Sequence, residues 1–270
     1  MNSAVVAGNV DFFYGDRVIL KDLSFSVGKK DFFIIIGPNG SGKTTLLKII
    51  ANLLKVKKGS LQIMGNPIGS YSRRSLARTL ALVPQIAPVD FPFTVMELVL
   101  MGRSPHLGIL ALERDTDLEL ARKAMAFTGV LSLADRKMDQ LSGGERQRVF
   151  IARAICQEPD IMLLDEPTAS LDLTHQIRIM DLMEKLRKEK GLTIVMVSHD
   201  INLAAMYATC LLLLKAGKVA GIGAPEEVLT FKKLEQIYEC PLLVDESPLG
   251  GFKRITLVPN KFLKMNIAEK

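Results

Sequence analysis

Phe32-Phe33-Ile34-Ile35-Ile36, running into Gly37-Pro38-Asn39-Gly40-Ser41-Gly42-Lys43-Thr44-Thr45, is the stretch that decides the fold. An apolar run of this kind reads as a strand buried in a parallel sheet. The glycines after it let the backbone curl without Cβ clashes until its N–H groups point inward, a cradle that suits phosphate oxygens. Lys43 is placed to reach β- and γ-phosphates and the Thr44 hydroxyl to ligate Mg²⁺, while a helix beginning near Gly42 aims its positive end at the same anion. A plain glycine turn demands neither Lys43 nor Thr44. The chain is therefore expected to hold a nucleoside triphosphate.

Working outward, Asn9-Val10-Asp11-Phe12-Phe13-Tyr14 and Leu23-Ser24-Phe25-Ser26-Val27 alternate polar with apolar residues and predict antiparallel strands before the loop, a style repeated from Gly59 to Gly65. Ile161 to Leu164, Thr193 to Val197 and Cys210 to Leu214 are continuous apolar runs, as expected for strands covered on both faces. Thr94 to Gly129 has helical spacing and few strand formers, which predicts a helical lobe inserted between the early strands and the second half of the sheet.

Length and composition bound the rest. With 270 residues the chain can bury a sizeable core in one compact unit. The longest apolar stretch, Ile201 to Leu214, is interrupted by Asn202 and too short to cross a bilayer, and the N-terminus does not read as a secretory signal. Cys156, Cys210 and Cys240 lack metal-ligand spacing and read as small core residues in a reducing compartment. The formal net charge of +6 invites a nucleic-acid hypothesis, but the basic residues are interspersed with acidic ones. Arg73-Arg74 with Arg78, and the tail Lys253, Arg254, Lys261, Lys264 and Lys270, are the best candidates for an acidic partner or lipid headgroups, and solvated helix faces explain most of the remainder.

Asp165 ends the run Ile161 to Leu164, where a parallel strand delivers a carboxylate beside the phosphate loop and can hold the Mg²⁺ shell. Glu166 follows at once. Successive side chains leaving a strand diverge, so one carboxylate can serve the metal while the other polarises an attacking water. Leu141-Ser142-Gly143-Gly144-Glu145-Arg146-Gln147-Arg148 precedes a helical stretch in which Ser142 is a natural N-cap. Two successive glycines cost helix stability, and they leave the helix N-terminus bare for a second phosphate contact.

With these residues in place the sequence resembles the ATP-binding cassette (ABC) ATPases over essentially its whole length. Gly37 to Thr45 matches the Walker A motif, Gln85 the Q-loop, Leu141 to Glu145 the signature motif, Ile161 to Asp165 Walker B, Glu166 the catalytic glutamate, Ser170-Leu171-Asp172 the D-loop and His199 the switch histidine. Tyr14 matches the aromatic residue that stacks on adenine. The resemblance implies an α/β P-loop NTPase (RecA-like) fold: a parallel sheet core with an N-terminal antiparallel β-subdomain and an inserted helical subdomain. It implies a single domain over residues 1–270, in which about 1–90 and 156–270 form the core and about 91–155 the helical subdomain with the signature motif. ATP and Mg²⁺ are the implied ligands. Lys43, Gln85, Glu166 and His199 are the implied catalytic residues, and Thr44, Gln85 and Asp165 the implied metal ligands. Tyr14, Gly37, Pro38, Asn39, Gly40, Ser41, Gly42, Lys43, Thr44 and Thr45 are implied to contact nucleotide in one chain, with Ser142, Gly143, Gly144, Glu145 and Asp172 from a second copy arranged head to tail.

One signature motif and no fused membrane domain imply a separate ATPase subunit on the cytoplasmic face of the membrane, partnered by integral-membrane permease subunits and, indirectly, by an extracytoplasmic substrate-binding protein. Ser72 to Arg78 leading to Leu82-Val83-Pro84-Gln85, then Phe93-Thr94-Val95, Met101 to His106 and Pro225 to Thr230, resemble the subunits that power import of iron-siderophore complexes, haem and cobalamin. An ATPase subunit of a metal-ion importer or of an exporter would keep every catalytic residue, and both readings remain open. Cytosolic ABC ATPases acting on DNA or ribosomes usually add a second cassette, a coiled coil or zinc modules, so nucleic acid is not the expected partner. Phe91-Pro92-Phe93-Thr94-Val95, with Val99 and Met101, offers apolar side chains near Gln85 on which a permease helix is expected to dock.

Overall fold

The alternation near the N-terminus folds as read: β1 (Ser3–Tyr14) pairs antiparallel with β2 (Arg17–Gly28) on one edge and with β4 (Lys58–Ile63) on the other, with the short β5 (Asn66–Pro67) beyond. The computed structural model describes residues 3–85, 92–108, 113–169, 171–259 and 261. The inward residues of this sheet, among them Val5, Val10, Phe12, Leu23 and Val27, are buried.

The continuous apolar runs form a second sheet. Its order is β10-β9-β3-β8-β7-β6, built from β3 (Phe32–Ile36), β6 (Leu80–Val83), β7 (Ile161–Asp165), β8 (Thr193–Val197), β9 (Cys210–Lys215) and β10 (Lys218–Gly223). All neighbours are parallel except the edge strand β10, which returns antiparallel to β9. Every residue of β3 has 0% exposure. Full burial of such side chains stabilises by about 1.5–3 kcal/mol each, so this strand needs cover on both faces.

It receives that cover from different partners. Phe33 and Ile35 face the antiparallel sheet and α1 (Lys43–Ile50), which leaves β3 through the glycine loop. Phe32, Ile34 and Ile36 face the helical layer. Between β5 and β6 lies α2 (Arg73–Thr79), and between β6 and β7 the chain inserts α3 (Val95–Leu100), α4 (Asp115–Phe127) and α5 (Gly143–Cys156). The helix α6 (Leu173–Lys190) connects β7 to β8, and α7 (Ile201–Tyr207) connects β8 to β9. After β10 come α8 (Pro225–Val228), α9 (Phe231–Tyr238) and a hairpin of β11 (Leu242–Glu246) and β12 (Lys253–Leu257).

Several surface readings change in the fold. Val95 and Val99 have 0% exposure and belong to the core, which leaves Pro92 and Met101 as the exposed apolar residues described in the segment expected to dock a permease; Phe93 is half-buried, and Phe91 lies outside the described residues. Arg74 and Arg78 bond to the Pro105 carbonyl at 2.8 and 2.9 Å, with a further bond from Arg74 to Leu107, so they staple α2 to the turn after α3. Lys253 pairs with Glu246 and Arg254 with Asp245 across the β11–β12 hairpin. Lys264 and Lys270 lie outside the described residues. Cys156 is buried as read, whereas Cys210 and Cys240 are only half-buried.

No helix among the described residues is long and apolar enough to cross a membrane.

Candidate active site

Parallel strands deliver their C-terminal ends to one edge of a sheet, where ligands of open α/β folds bind. The order β3-β8-β7-β6 sets four segments side by side there: the loop after Ile36, His199 after Val197, Asp165-Glu166 and Gln85.

The phosphate loop is held tightly. At Gly37, φ is +148° and a Cβ would come 2.2 Å from the Leu214 carbonyl oxygen, so a side chain has no place there. Gly42 takes φ +101° as N-cap of α1, which starts at Lys43. The Lys43 ammonium donates to the carbonyls of Gly37 at 2.9 Å and Pro38 at 3.0 Å. Burial pulls its pKa below the usual lysine value, and the charges of Glu166 and Asp165 only partly offset this. Ser41 is buried, and its hydroxyl has no hydrogen-bond partner among the described residues. Leaving such a group unpaired costs about 1–3 kcal/mol, and a phosphate oxygen in the cradle satisfies it. A desolvated cation, an orphan hydroxyl and a loop closed to side chains together fit a polyphosphate.

Thr44 Oγ1 donates to Asp165 Oδ1 at 3.2 Å. Burial pushes the Asp165 carboxyl above its ordinary value, with the Thr44 bond pulling it back and the charge of Glu166 adding to the rise. A hydroxyl and a carboxylate are hard oxygen donors, and this pair fits Mg²⁺ beside the phosphates.

Glu166 departs from the strand with φ +49°, left-handed backbone that a non-glycine residue adopts at some cost. Its N–H donates to the Val197 carbonyl at 3.1 Å. Its carboxylate lies between two partners: Gln85 Nε2 donates to Oε2 at 2.6 Å, and His199 Nε2 meets Oε1. Four sequence-predicted residues, Gln85, Asp165, Glu166 and His199, thus gather beside Lys43 and Thr44.

The signature segment is built as a capping box. Ser142 Oγ accepts from the Glu145 N–H at 3.3 Å, and the Glu145 carboxylate accepts from the Ser142 N–H at 2.8 Å. The bonds from the Ser142 backbone N–H and hydroxyl hold the Glu145 carboxyl below its usual value. The paired glycines differ. A Cβ at Gly143 meets nothing within 4 Å, whereas at Gly144 it would lie 2.7 Å from His175 Cδ2, so Gly144 makes room for that ring within the same chain. Asp172 caps α6 through the His175 N–H at 2.8 Å and also holds the His175 ring at 2.9 Å. Ser170 lies outside the described residues. Tyr14 ends β1 half exposed, its ring edge-on to Phe12 at 4.9 Å.

The sequence reading missed the supports around His199. Ser198 donates its N–H to Ile35 O at 3.1 Å, and its hydroxyl accepts the Asp200 N–H at 3.1 Å. Asp200 in turn caps α7 through the Leu203 N–H at 2.9 Å. The available signal was an Asp just before an apolar helical run, the ordinary mark of an N-cap.

A phosphate cradle with a buried lysine, a hard-oxygen metal pair and a poised carboxylate on neighbouring strand ends defines a P-loop ATPase. The chain belongs to the ABC transporter family, whose profile matches residues 20–169. It is 41% identical over 238 residues to the ferric enterobactin transport ATP-binding protein FepC of Escherichia coli, covering 88% of this chain and 88% of that protein. Among solved structures, an inward-facing metal-chelate type ABC transporter superposes with a TM-score of 0.86 at 29% identity, over 97% of this chain and 100% of that one. A dimeric ATP-binding cassette in a post-hydrolysis state, bound to ADP and phosphate, gives a TM-score of 0.70 at 31% identity over 82% and 98%.

Proposed function

We propose that this chain is the ATP-hydrolysing subunit of an importer that takes up a metal chelate of the iron-siderophore, haem or cobalamin class through permease subunits. The class is supported by the similarity to a ferric enterobactin transport subunit and to a metal-chelate type transporter along nearly the whole chain. The chain acts at the cytoplasmic face of the membrane, and the substrate-binding protein influences it only through the permease.

The loop from Gly37 to Thr45 binds the triphosphate of ATP. Lys43 exchanges the Gly37 and Pro38 carbonyls for phosphate oxygens, and Ser41 donates its hydroxyl. Thr44 and Asp165 hold Mg²⁺, which supplies charge neutralisation on the phosphates when bound. Glu166 accepts the proton of the attacking water, His199 orients that water and the γ-phosphate, and Gln85 reports on their presence to the inserted helices. Ser142 to Glu145 and Asp172 cap α5 and α6, and the open space beside Gly143 leaves this helix start free to serve the phosphate site of a second copy. That a similar solved cassette is dimeric supports pairing with a second copy.

The observation that carries the hydrolytic assignment is Glu166, held left-handed between Gln85 and His199. Glu166→Gln keeps the shape and removes the base, so it should bind ATP normally and hydrolyse it on the order of a hundredfold more slowly. Wild-type turnover by that variant in the purified complex would overturn the assignment. Uptake of ferric siderophore, haem and cobalamin by cells carrying the complete transporter tests the substrate class.

A further inference from the structure

Among the described residues, β11 and β12 pair in a sheet only with each other, yet β12 has a partner of another kind. Asn202, in the first turn of α7, donates from Nδ2 to the Ile255 carbonyl at 3.0 Å and accepts the Ile255 N–H on Oδ1 at 2.8 Å. One side-chain amide therefore satisfies both backbone groups of a residue whose own side chain is buried, as a third strand would. A carboxylate at this position could accept but not donate.

The clamp lies close to the chemistry. His199 sits between the end of β8, fixed by Ser198, and the start of α7, pinned by Asn202. Its side chain is 45% exposed, so its place against Glu166 is set by the backbone on either side and not by burial. The same C-terminal segment also reaches the phosphate loop. The Tyr238 hydroxyl, at the end of α9, faces the Gly37 backbone, and burial pushes its phenol up to about 12. Lys215 anchors α9 by bonding the Gln236 carbonyl at 2.5 Å and Glu239 at 2.7 Å. The β11–β12 hairpin and α9 both lie beyond residues 20–169, the part matched by the family profile.

We propose that Asn202 is a positioning residue for ATP hydrolysis, clamping α7 to the C-terminal hairpin and so holding His199 against Glu166. The proposal rests on the reading of Glu166 and His199 as the hydrolytic pair.

Steady-state hydrolysis by the full chain, as single and double variants, tests it. Asn202→Ala should lower kcat about tenfold with KM for ATP within about twofold, an effect in the range that coupled neighbours show. Asn202→Asp keeps the acceptor and places a carboxylate at a helix N-terminus, which favours folding, but it lacks the donor and should still lose kcat. The double variant Asn202→Ala/His199→Ala should be no slower than His199→Ala, because the amide acts through the imidazole. Losses that multiply in the double variant, or wild-type kcat in both Asn202 variants while His199→Ala is slow, overturn the proposal alone. Wild-type kcat in His199→Ala overturns the underlying reading instead.

Discussion

Gln85 Nε2 donates to Glu166 Oε2 at 2.6 Å, joining the chain just after β6 to the carboxylate that leaves the neighbouring parallel strand β7. The chain between β6 and β7 carries α3, α4 and α5, so this bond links the inserted helices to the carboxylate proposed as the base. Gln85→Ala is expected to leave ATP affinity nearly unchanged and to lower kcat by about tenfold, the pattern of an interaction that matters in the transition state. Equilibrium nucleotide binding beside single-turnover hydrolysis checks both halves, and a loss confined to affinity would remove Gln85 from the catalytic step.

The two signature glycines make separable predictions. Gly143→Ala adds a methyl group into open space and should fold as the wild type, with a stability change under about 1 kcal/mol. In the Glu166→Gln background it should nevertheless weaken the ATP-dependent dimer, because the proposed arrangement brings the partner's phosphates into that space. Gly144→Ala pushes on the His175 ring and breaks its bonds to Asp172, so it should destabilise the monomer itself. Thermal melts and sizing with ATP separate the cases. An undiminished dimer in Gly143→Ala would mean that no ligand approaches this turn.

A buried ion pair whose partners include none of the site residues sets an acid limit on stability. Arg103 and Asp117 meet at 2.9 Å with side chains only 7% and 8% exposed, and Arg103 also reaches Glu158. Burial pushes the Asp117 carboxyl up, but the Arg103 bond, the Arg114 N–H and the charges of both arginines outweigh it and hold the carboxyl below its ordinary value. A depressed folded-state pKa gives a contribution fully present above the unfolded value of about 3.9, and lost as pH falls through the folded one. Asp117→Asn should therefore destabilise by about 3 kcal/mol at neutral pH and flatten the acid limb of the stability curve. Urea melts from neutral pH to below pH 4 would show it, and parallel curves for the two proteins would contradict it.

Much of the fold was legible because its central strands are unambiguous. Phe32 to Ile36, Ile161 to Leu164 and Ile194 to Val197 are apolar without interruption, and each occupies the sheet interior that such runs require. The carboxylates were legible because Asp165 ends such a run, which fixes where its side chain emerges. Single residues on short helices were not. Val95 and Val99 read as a docking face, but α3 is so short that its apolar residues are needed for the core. Nor could spacing reveal that Arg74 and Arg78 spend their charge on the Pro105 carbonyl, or that Asn202 finds Ile255, since both contacts join segments far apart in the chain. For the same reason Val95→Glu would bury a charge and unfold the inserted helices, and it cannot report on coupling to a permease.

Tyr14 gives the sharpest test of how the nucleotide lies. Tyr14 is 52% exposed at the end of β1, and its ring meets that of Phe12 in a T-shaped contact at 4.9 Å, so much of the side chain is open to a base. Stacking of a base on an aromatic ring is worth about 1–3 kcal/mol by alanine substitution, so Tyr14→Ala should weaken ATP binding roughly tenfold. Little folding stability should be lost, because an exposed ring contributes little to the core. Tyr14→Trp should restore affinity by offering a larger face. Tripolyphosphate, which has no base, should bind the wild type and Tyr14→Ala alike, since the phosphate loop is untouched. Equal loss of ATP and tripolyphosphate affinity would show instead that the ring supports the loop and does not meet the base.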